Sequence, residues 1–232
     1  MPPDQRLSRI AVLASGRGSN LQAIIDAIAR GDLAAQLAGV FSDRPKCAAL
    51  QRVPSHLCWA ASPARFADKA AYEQALGDAI DQAGADWIVC AGYMRILGPE
   101  LVRRFDGRLL NIHPSLLPKY RGLHTHAAAL AAGDAEHGAS VHFVSDALDA
   151  GPLIAQTAID IFPGDTAVTL AARLLPCEHR LLVAVLRLAT AGRLRLLGQR
   201  VHVDGHALLH PLRLDCAGQW HPPLPSACNV SL

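Results

Sequence analysis

A side-chain amide and an imidazole stand close together in the segment Asn111-Ile112-His113-Pro114-Ser115. Alternate residues of a β-strand face the same side, so Asn111 and His113 would address one space. An amide N–H and an imidazolium can both donate to an oxygen that becomes negative when a carbonyl is attacked, and histidine can also move a proton near neutral pH. The pair therefore predicts chemistry at a carbonyl carbon. From these residues alone, a core histidine bonded to a backbone carbonyl is an equally good interpretation.

A carboxylate that could serve the same site lies between residues 146 and 152. We expect Asp149 to fill this role, because a carboxylate near an imidazole favours the protonated ring. An Asp before Ala-Gly-Pro is also a common turn former, and Asp146 competes for the same role.

The glycine-containing turn of residues 15–20 (SGRGSN) is the third candidate. Glycine lets the backbone approach an anion, and the free amides at a helix start form a phosphate cradle. Ser19 and Gln22 match a capping box, which would place the helix start at Ser19. Leu21 stands where a dinucleotide fingerprint needs a third glycine, and the Gly-Lys-Ser/Thr of a Walker loop is also absent. An ordinary strand-to-helix turn is the alternative.

Eleven histidines are present, and five of them fall between His113 and His142. They have no HExxH spacing and no cysteine support, so we expect no metal and interpret His124, His126 and His142 as groups that orient the site, with His137 merely nearby. The six cysteines are scattered without any CxxC pair, and we expect reduced thiols. They are Cys47, Cys58, Cys90, Cys177, Cys216 and Cys228.

Composition restricts the class of partner. Lys and Arg number 22 against 20 Asp and Glu, and no basic run resembles a nucleic-acid footprint. The longest apolar stretches are too short to cross a bilayer, and the polar start of the chain lacks a signal-peptide core. We therefore expect small-molecule substrates, no nucleic acid, no membrane, a cytoplasmic location, and a monomer or homodimer.

The elements that must position these residues alternate between strands and helices. In the first half, the strands are predicted at residues 9–14, 37–41 and 86–91, and the helices at 21–30 and 64–83. Continuous apolar strands that alternate with helices predict an α/β fold with a Rossmann-like, open, mostly parallel twisted sheet and helices on both faces. Ligands of such sheets bind beyond the carboxyl ends of the strands, so functional residues should follow strands directly.

The second half continues the pattern and ends in an antiparallel segment. Strands are predicted at residues 109–112, 139–144 and 153–161, helices at 126–132 and 165–191, and short antiparallel strands over 193–214 with a turn at Asp204-Gly205. We expect a catalytic domain over residues 1–200, with a nucleotide-binding half at about 1–105 and a folate-binding, catalytic half at about 106–200. Short strands and a loose proline-containing tail would occupy 201–232.

Together these motifs resemble the phosphoribosylglycinamide formyltransferase family. The segments that carry the resemblance are residues 15–24 (SGRGSNLQAI), 91–97 (AGYMRIL), 110–118 (LNIHPSLLP), 122–126 (GLHTH), 140–143 (SVHF) and 149–152 (DAGP). They occur in the family's order between about residue 9 and residue 200. The resemblance implies transfer of a formyl group from 10-formyltetrahydrofolate, the co-substrate, to the amino group of glycinamide ribonucleotide in de novo purine synthesis.

The resemblance also implies residue roles. Asn111, His113 and Asp149 match the family's catalytic residues. The nucleotide substrate would bind at Gly18, Ser19, Asn20, Leu21 and Glu178, and folate at Lys69, Met94, Arg95, Ile96, Leu97, Asn111 and Val144. Lys69 stands near a position that is Arg in relatives, and lysine cannot supply the bidentate contact of arginine.

Two other enzymes share the Asn-x-His-Pro core, methionyl-tRNA formyltransferase and formyltetrahydrofolate deformylase, which hydrolyses 10-formyltetrahydrofolate. The first would need a further C-terminal domain and the second an N-terminal regulatory domain, so both are disfavoured. A non-enzyme alternative is a sensor that binds nucleotide or folate. A sensor would be expected to have lost at least one of the three catalytic residues, and all three are present.

Overall fold

The computed structural model describes residues 6–222 and residue 224. The helices are α1 (Ser19–Ala29), α2 (Lys69–Gln82), α3 (Pro99–Arg104), α4 (Thr125–Ala131) and α5 (Ala167–Thr190). The strands are β1 (Ser8–Leu13), β2 (Ala35–Ser42), β3 (Cys58–Ala60), β4 (Trp87–Cys90), β5 (Leu109–His113), β6 (Glu136–Phe143), β7 (Leu153–Asp160), β8 (Leu194–Leu197), β9 (Arg200–Val203), β10 (His206–Ala207), β11 (Leu212–Leu214) and β12 (Trp220–His221).

A nine-stranded sheet in the order β12-β11-β7-β6-β5-β4-β1-β2-β3 forms the centre of the fold. Strands β3, β2, β1, β4 and β5 are mutually parallel, whereas β6 runs antiparallel to both β5 and β7. The Rossmann-like, mostly parallel α/β fold predicted from the sequence is confirmed.

The chain after α5 differs in part from expectation. Strands β8, β9 and β10 form a separate antiparallel sheet, and the predicted turn at Asp204-Gly205 joins β9 to β10. Strand β11 instead returns to the main sheet and pairs in parallel with β7, while β12 pairs antiparallel with β11. The loose tail expected from Pro222 onward lies largely outside the described residues.

Two helix starts also differ from expectation. Residues Pro63–Arg65 form a short 3-10 turn, and α2 begins at Lys69 because Asp68 accepts a hydrogen bond from the Ala71 N–H at 2.8 Å. The capping box assigned to Ser19 and Gln22 is wrong. The N-cap of α1 is Gly18, and the Gln22 side chain instead donates to Asp26 at 2.8 Å.

The two faces of the sheet bury separate cores. Ile10 and Val12 of β1 point to the face covered by α1 and α5, and Ala11 and Leu13 point to the face covered by α2 and α3. Because helices cover both faces of the sheet, the strands are apolar on both sides. Polar side chains therefore lie at the carboxyl ends of the strands.

A disulfide joins Cys177 of α5 to Cys216, which follows β11. The expectation of reduced thiols is therefore wrong for this pair, because the return of β11 to the sheet brings two cysteines that are 39 positions apart to a Cα–Cα distance of 5.1 Å. Cys47, Cys58 and Cys90 are free thiols, and Cys228 lies outside the described residues.

Membrane insertion through a helix finds no support in the part of the chain that the structure describes. Even α5, which has 24 residues, is not apolar enough over its length to cross a bilayer.

Candidate active site

Three predicted residues meet at the carboxyl end of β5. Asn111 Nδ2 donates to Asp149 Oδ1 at 3.2 Å, and His113 Nδ1 lies 3.4 Å from Asp149 Oδ2. The side chains of His113 and Asp149 are 7% and 9% exposed, so this contact is shielded from water. Asp146, the competing carboxylate, is exposed. The structure thus assembles Asn111, His113 and Asp149, named here the polar trio.

Backbone geometry places Asp149 in the trio. The loop of residues 144–152, named here the closing loop, leaves β6 and returns to β7, and Asp149 adopts a left-handed conformation with φ 45°. The Gly122 N–H donates to Asp149 Oδ2 at 2.9 Å. A Cβ at Gly151 would stand 1.9 Å from the Phe143 carbonyl oxygen, so only glycine allows this close return of the loop.

His142 fixes the orientation of the Asn111 amide. Its Nδ1 lies 2.8 Å from the Phe143 carbonyl oxygen and therefore carries the proton, which leaves Nε2 to accept from Asn111 Nδ2 at 3.1 Å. Burial lowers the pKa of His142, so the ring stays neutral and can accept. The predicted orienting role of His142 has a structural basis.

The other clustered histidines form a separate contact. His137 Nε2 and His126 Nδ1 are 2.8 Å apart. The pKa of His137 is lowered to about 4, mainly by burial and secondly by repulsion from a charge on His126. His124 is the exposed N-cap of α4. Within residues 6–222 and 224, no three or more His, Cys, Asp or Glu side chains are grouped to hold a metal ion.

The glycine turn presents free backbone amides. Gly18 has φ 73°, and a Cβ there would lie 2.8 Å from Ala49 Cβ, so the position requires glycine. No side chain among the described residues caps α1, and its first turn contains no acidic residue. The first N–H groups and the positive end of the helix dipole are therefore available to an anion.

Glu178 reaches this turn from α5. Burial raises the pKa of the Glu178 carboxyl to about 7, although the neighbouring Asn20 side chain acts to lower it. Asn20 Oδ1 is buried and has no partner among the described residues. Leu21 is fully buried, so only its backbone can contact a ligand. The structure brings Glu178, Gly18, Ser19 and Asn20 together as predicted.

A cavity of about 90 Å³ opens beside the polar trio. Val144 and the rest of the closing loop up to Asp149 line one side of it. The other lining residues are Cys90, Tyr93, Arg95, Ile96, Leu97, Asn111 and His142. Four of the predicted folate-site residues besides Asn111 therefore meet at one cleft: Arg95, Ile96, Leu97 and Val144.

Two predicted folate-site residues are not brought into that cleft. Lys69 pairs with Glu73 at 3.6 Å in a separate groove between α2 and α3. Met94 is 55% exposed and is not among the described lining residues. Its backbone N–H donates to Ser15 Oγ at 2.9 Å.

Sequence analysis missed several contacts that position the site. Ser15 Oγ donates to the buried Asp43 Oδ1 at 2.5 Å, which links the glycine turn to the Met94 segment. The Tyr120 carbonyl oxygen lies 2.8 Å from His113 Nε2. Of these groups, only Ser15 belongs to a motif that the sequence shows. Asp43 is an isolated acidic residue, and the Tyr120 carbonyl belongs to the backbone, so neither has a signal in the sequence.

Comparisons with known proteins agree with this geometry. The family model described as "Formyl transferase" matches residues 8–186. Phosphoribosylglycinamide formyltransferase of Haemophilus influenzae is 43% identical, with 87% of this chain and 96% of the relative covered. The Escherichia coli enzyme of that name is 44% identical, with 86% and 95% covered.

The fold agrees as well. The solved structure of phosphoribosylglycinamide formyltransferase from Coxiella burnetii superposes with a TM-score of 0.83 and is 45% identical, covering 88% of this chain and 96% of that one. The polar trio therefore occurs in a chain that matches these proteins in sequence and in fold over most of its length. The chain belongs to the formyl transferase family.

Proposed function

We propose that the protein transfers a formyl group from 10-formyltetrahydrofolate to the amino group of glycinamide ribonucleotide, which gives formylglycinamide ribonucleotide and tetrahydrofolate in purine biosynthesis. The observation that carries the proposal is the polar trio at the carboxyl end of β5, 3.2 to 3.4 Å from one another through Asp149. The names of the close relatives point to the same substrate.

The donor set suits a formyl oxygen. Asn111 Nδ2 gives its two hydrogens to Asp149 and His142, and His113 faces acceptors at both nitrogens, Asp149 and the Tyr120 carbonyl oxygen. All of these donors already have acceptors. A bound formyl oxygen must therefore displace one acceptor from each side chain. We assign these to the Tyr120 carbonyl at His113 and to Asp149 at Asn111, which leaves His142 holding the amide.

The reaction begins when the neutral amine of the nucleotide attacks the formyl carbon. A carbon–nitrogen bond forms, and the carbonyl electrons move to the formyl oxygen, where Asn111 and protonated His113 donate hydrogen bonds. Asp149 holds the imidazolium and, directly or through water, passes a proton from the attacking nitrogen to folate N10. The bond from the formyl carbon to N10 then breaks and tetrahydrofolate leaves. No covalent enzyme intermediate is needed.

In this proposal, each of the two substrates binds at its own half-site. The phosphate of the nucleotide binds at the amides of Gly18, Ser19 and Asn20, and Glu178 contacts the same ligand. Folate lies along Arg95, Ile96 and Leu97 under the closing loop. The guanidinium of Arg95 lies over the Tyr72 ring at 5.6 Å from its centroid, and in the proposed binding mode this cation attracts the anionic folate. The two half-sites do not follow the division predicted at about 1–105 and 106–200, because Arg95, Ile96 and Leu97 precede residue 106 and Glu178 follows it.

Lys69 and Met94 make other contacts in the structure and do not line the cleft proposed for folate. The Lys69 ammonium is occupied by Glu73, and Met94 contributes its backbone to the Ser15 bond. We propose that both reach folate only if the closing loop and the α2 start rearrange when it binds.

Formyl transfer is tested by mixing the protein with 10-formyltetrahydrofolate and glycinamide ribonucleotide while folate absorbance is followed. We expect tetrahydrofolate only when the nucleotide is present. Equal folate release without nucleotide would establish hydrolysis, and binding without turnover would establish a sensor.

Asp149→Asn tests the assignment within the trio, with Asp146→Asn as the matched control. Loss of a trio member should lower kcat by about 100- to 1,000-fold with little change in nucleotide affinity. Asp146→Asn should stay within about tenfold of wild type, because that carboxylate is exposed. The reverse ranking would transfer the acid role to Asp146.

A further inference from the structure

The Cys177–Cys216 disulfide joins the C-terminal part of the chain to the helix that carries Glu178. Cys177 is 4% exposed and directly precedes Glu178, whereas Cys216 is partly exposed. The covalent link therefore ends one residue from Glu178, whose carboxyl is close enough to Asn20 of the glycine turn for that side chain to affect its pKa.

Helix α5 needs outside support at this point. Pro176 lies inside the helix and has no N–H, so the carbonyl of Ala172 loses its helical partner. Two contacts from the C-terminal part of the chain brace the next turn. One is the disulfide itself, and the other is the bond that Arg180 Nη1 donates to the Cys216 carbonyl oxygen at 2.6 Å.

The segment that contains Cys216 is fixed by its own hydrogen bonds. Residues 215–219, named here the C-terminal turn, close on Asp215, whose Oδ1 accepts from the N–H groups of Ala217 and Gln219 at 2.9 and 2.8 Å. Asp215 Oδ2 lies 2.8 Å from His221 Nε2. Strand β11 anchors the turn to β7 on its other side. The disulfide therefore connects α5 to a fixed part of the sheet.

The C-terminal turn also shares a groove with Ser19, one residue of the proposed nucleotide half-site. A groove of about 740 Å³ is lined by Ala217, Gly218 and Gln219 together with Pro176 and His179 of α5 and Ser19 of the phosphate turn. Among the described residues that line the folate cleft, neither the disulfide nor the C-terminal turn is found. A change at the disulfide should thus affect nucleotide binding before it affects folate binding.

We propose that Cys177 and Cys216 form a reversible thiol–disulfide site that controls binding of the nucleotide substrate. The proposal rests on the proposed function for the identity of that substrate. A thiolate of a dithiol reductant attacks Sγ of the more exposed Cys216, and the bond to Cys177 Sγ breaks. The second thiol of the reductant then displaces Cys216. Two electrons and two protons pass to the protein, which gains two thiols, and the reductant becomes a disulfide.

Reduction removes the covalent brace beside Pro176 and loosens the contact between Glu178 and Asn20. Nucleotide affinity falls, while the polar trio on β5 and the closing loop keeps its geometry. In the cytoplasm predicted from the sequence, disulfides are typically catalytic or redox-sensing, which agrees with a reversible pair.

Steady-state kinetics of the full chain test the site. The oxidised protein and the protein treated with dithiothreitol are compared at saturating folate co-substrate with varied glycinamide ribonucleotide. We expect reduction to raise the nucleotide KM about fivefold to tenfold and to leave kcat within about twofold, as loss of uniform binding requires. Cys216→Ser should have the raised KM and no response to dithiothreitol. Cys58→Ser, which removes a free thiol on β3, should respond like wild type.

Two further measurements separate the outcomes. Alkylation of the denatured protein before and after dithiothreitol must show a gain of two modified thiols, and thermal melting verifies that Cys216→Ser is folded. An unchanged nucleotide KM on reduction, or a dithiothreitol response that persists in Cys216→Ser, would overturn the proposal.

If the oxidised protein forms no formylated nucleotide at all, the proposed function fails and the redox site is judged by amide hydrogen exchange. Faster exchange over residues 174–182 after reduction supports a brace on α5. Unchanged exchange there overturns it.

Discussion

Glu178→Gln tests whether a buried carboxyl near the glycine turn lowers the stability of the native protein. Glu178 is 8% exposed, and burial raises its pKa to about 7 from an ordinary 4.5. As pH rises above 4.5, the unfolded chain releases this proton while the native protein keeps it, so the free energy of unfolding falls until the native carboxyl also ionises near pH 7. Glutamine has nearly the same shape, can still accept from Asn20 and never ionises.

The magnitude follows from the same pKa difference. One pKa unit is worth about 1.4 kcal/mol, so Glu178 destabilises the native state by up to about 3 kcal/mol at pH 8.5 relative to glutamine. At pH 4.5 both side chains are mainly neutral in the native protein, and the two proteins should be nearly equal in stability. Glu178→Gln should therefore be more stable than wild type at high pH only.

Urea denaturation at pH 4.5 and pH 8.5, with the disulfide kept oxidised, measures the difference. Glu136→Gln is the matched control, because Glu136 is exposed on β6. An equal effect of Glu178→Gln at both pH values, or a loss of stability at pH 8.5, would refute the argument. The same variant should raise the nucleotide KM, since the proposed contact uses the carboxylate.

Three further predictions rest on single contacts. Gly18→Ala should destabilise the protein by about 1 to 3 kcal/mol in urea denaturation and raise the nucleotide KM, because a left-handed residue would acquire a Cβ 2.8 Å from Ala49 Cβ; unchanged stability would contradict this. His142→Ala should lower kcat by up to about 100-fold in the formyl-transfer assay, since the Asn111 amide loses its fixed acceptor, and an unchanged kcat would show that His142 does not position it. Leu181→Ala, in the fully buried part of α5, should lower the unfolding free energy by about 2 to 5 kcal/mol while a folded fraction keeps wild-type KM values.

Local sequence patterns were sufficient for the sheet and for two members of the polar trio, Asn111 and His113. Continuous apolar strands between helices require a doubly covered sheet, and such a sheet places the end of β5 at a ligand cleft. Asn111 and His113 are two positions apart on one strand, and alternate residues of a strand point to the same side of the sheet. The place of Asp149 followed from the family resemblance, because residues alone did not distinguish it from Asp146.

Errors arose where contacts distant in sequence decide the structure. A Ser-x-x-Gln pattern suggested a cap at Ser19, but packing of Gly18 against Ala49 sets the start of α1 and commits Gln22 to other partners. The spacing of four between Lys69 and Glu73 is compatible with a local ion pair, but only the packing of α2 beside α3 places that pair at a separate groove. Likewise, the hydrogen-bond acceptors of His113 include a backbone carbonyl that no residue type encodes.

The sequence by itself determined the α/β architecture, the pair Asn111 and His113 and the glycine turn, because each depends on local periodicity or on a contiguous motif, and the family resemblance added Asp149. Only the tertiary structure decided that Cys177 and Cys216 are bonded, that Glu178 is buried against Asn20 and that His142 holds the Asn111 amide. These features depend on the return of β11 to β7, the packing of α5 on α1 and the pairing of β5 with β6, which join residues far apart in the chain.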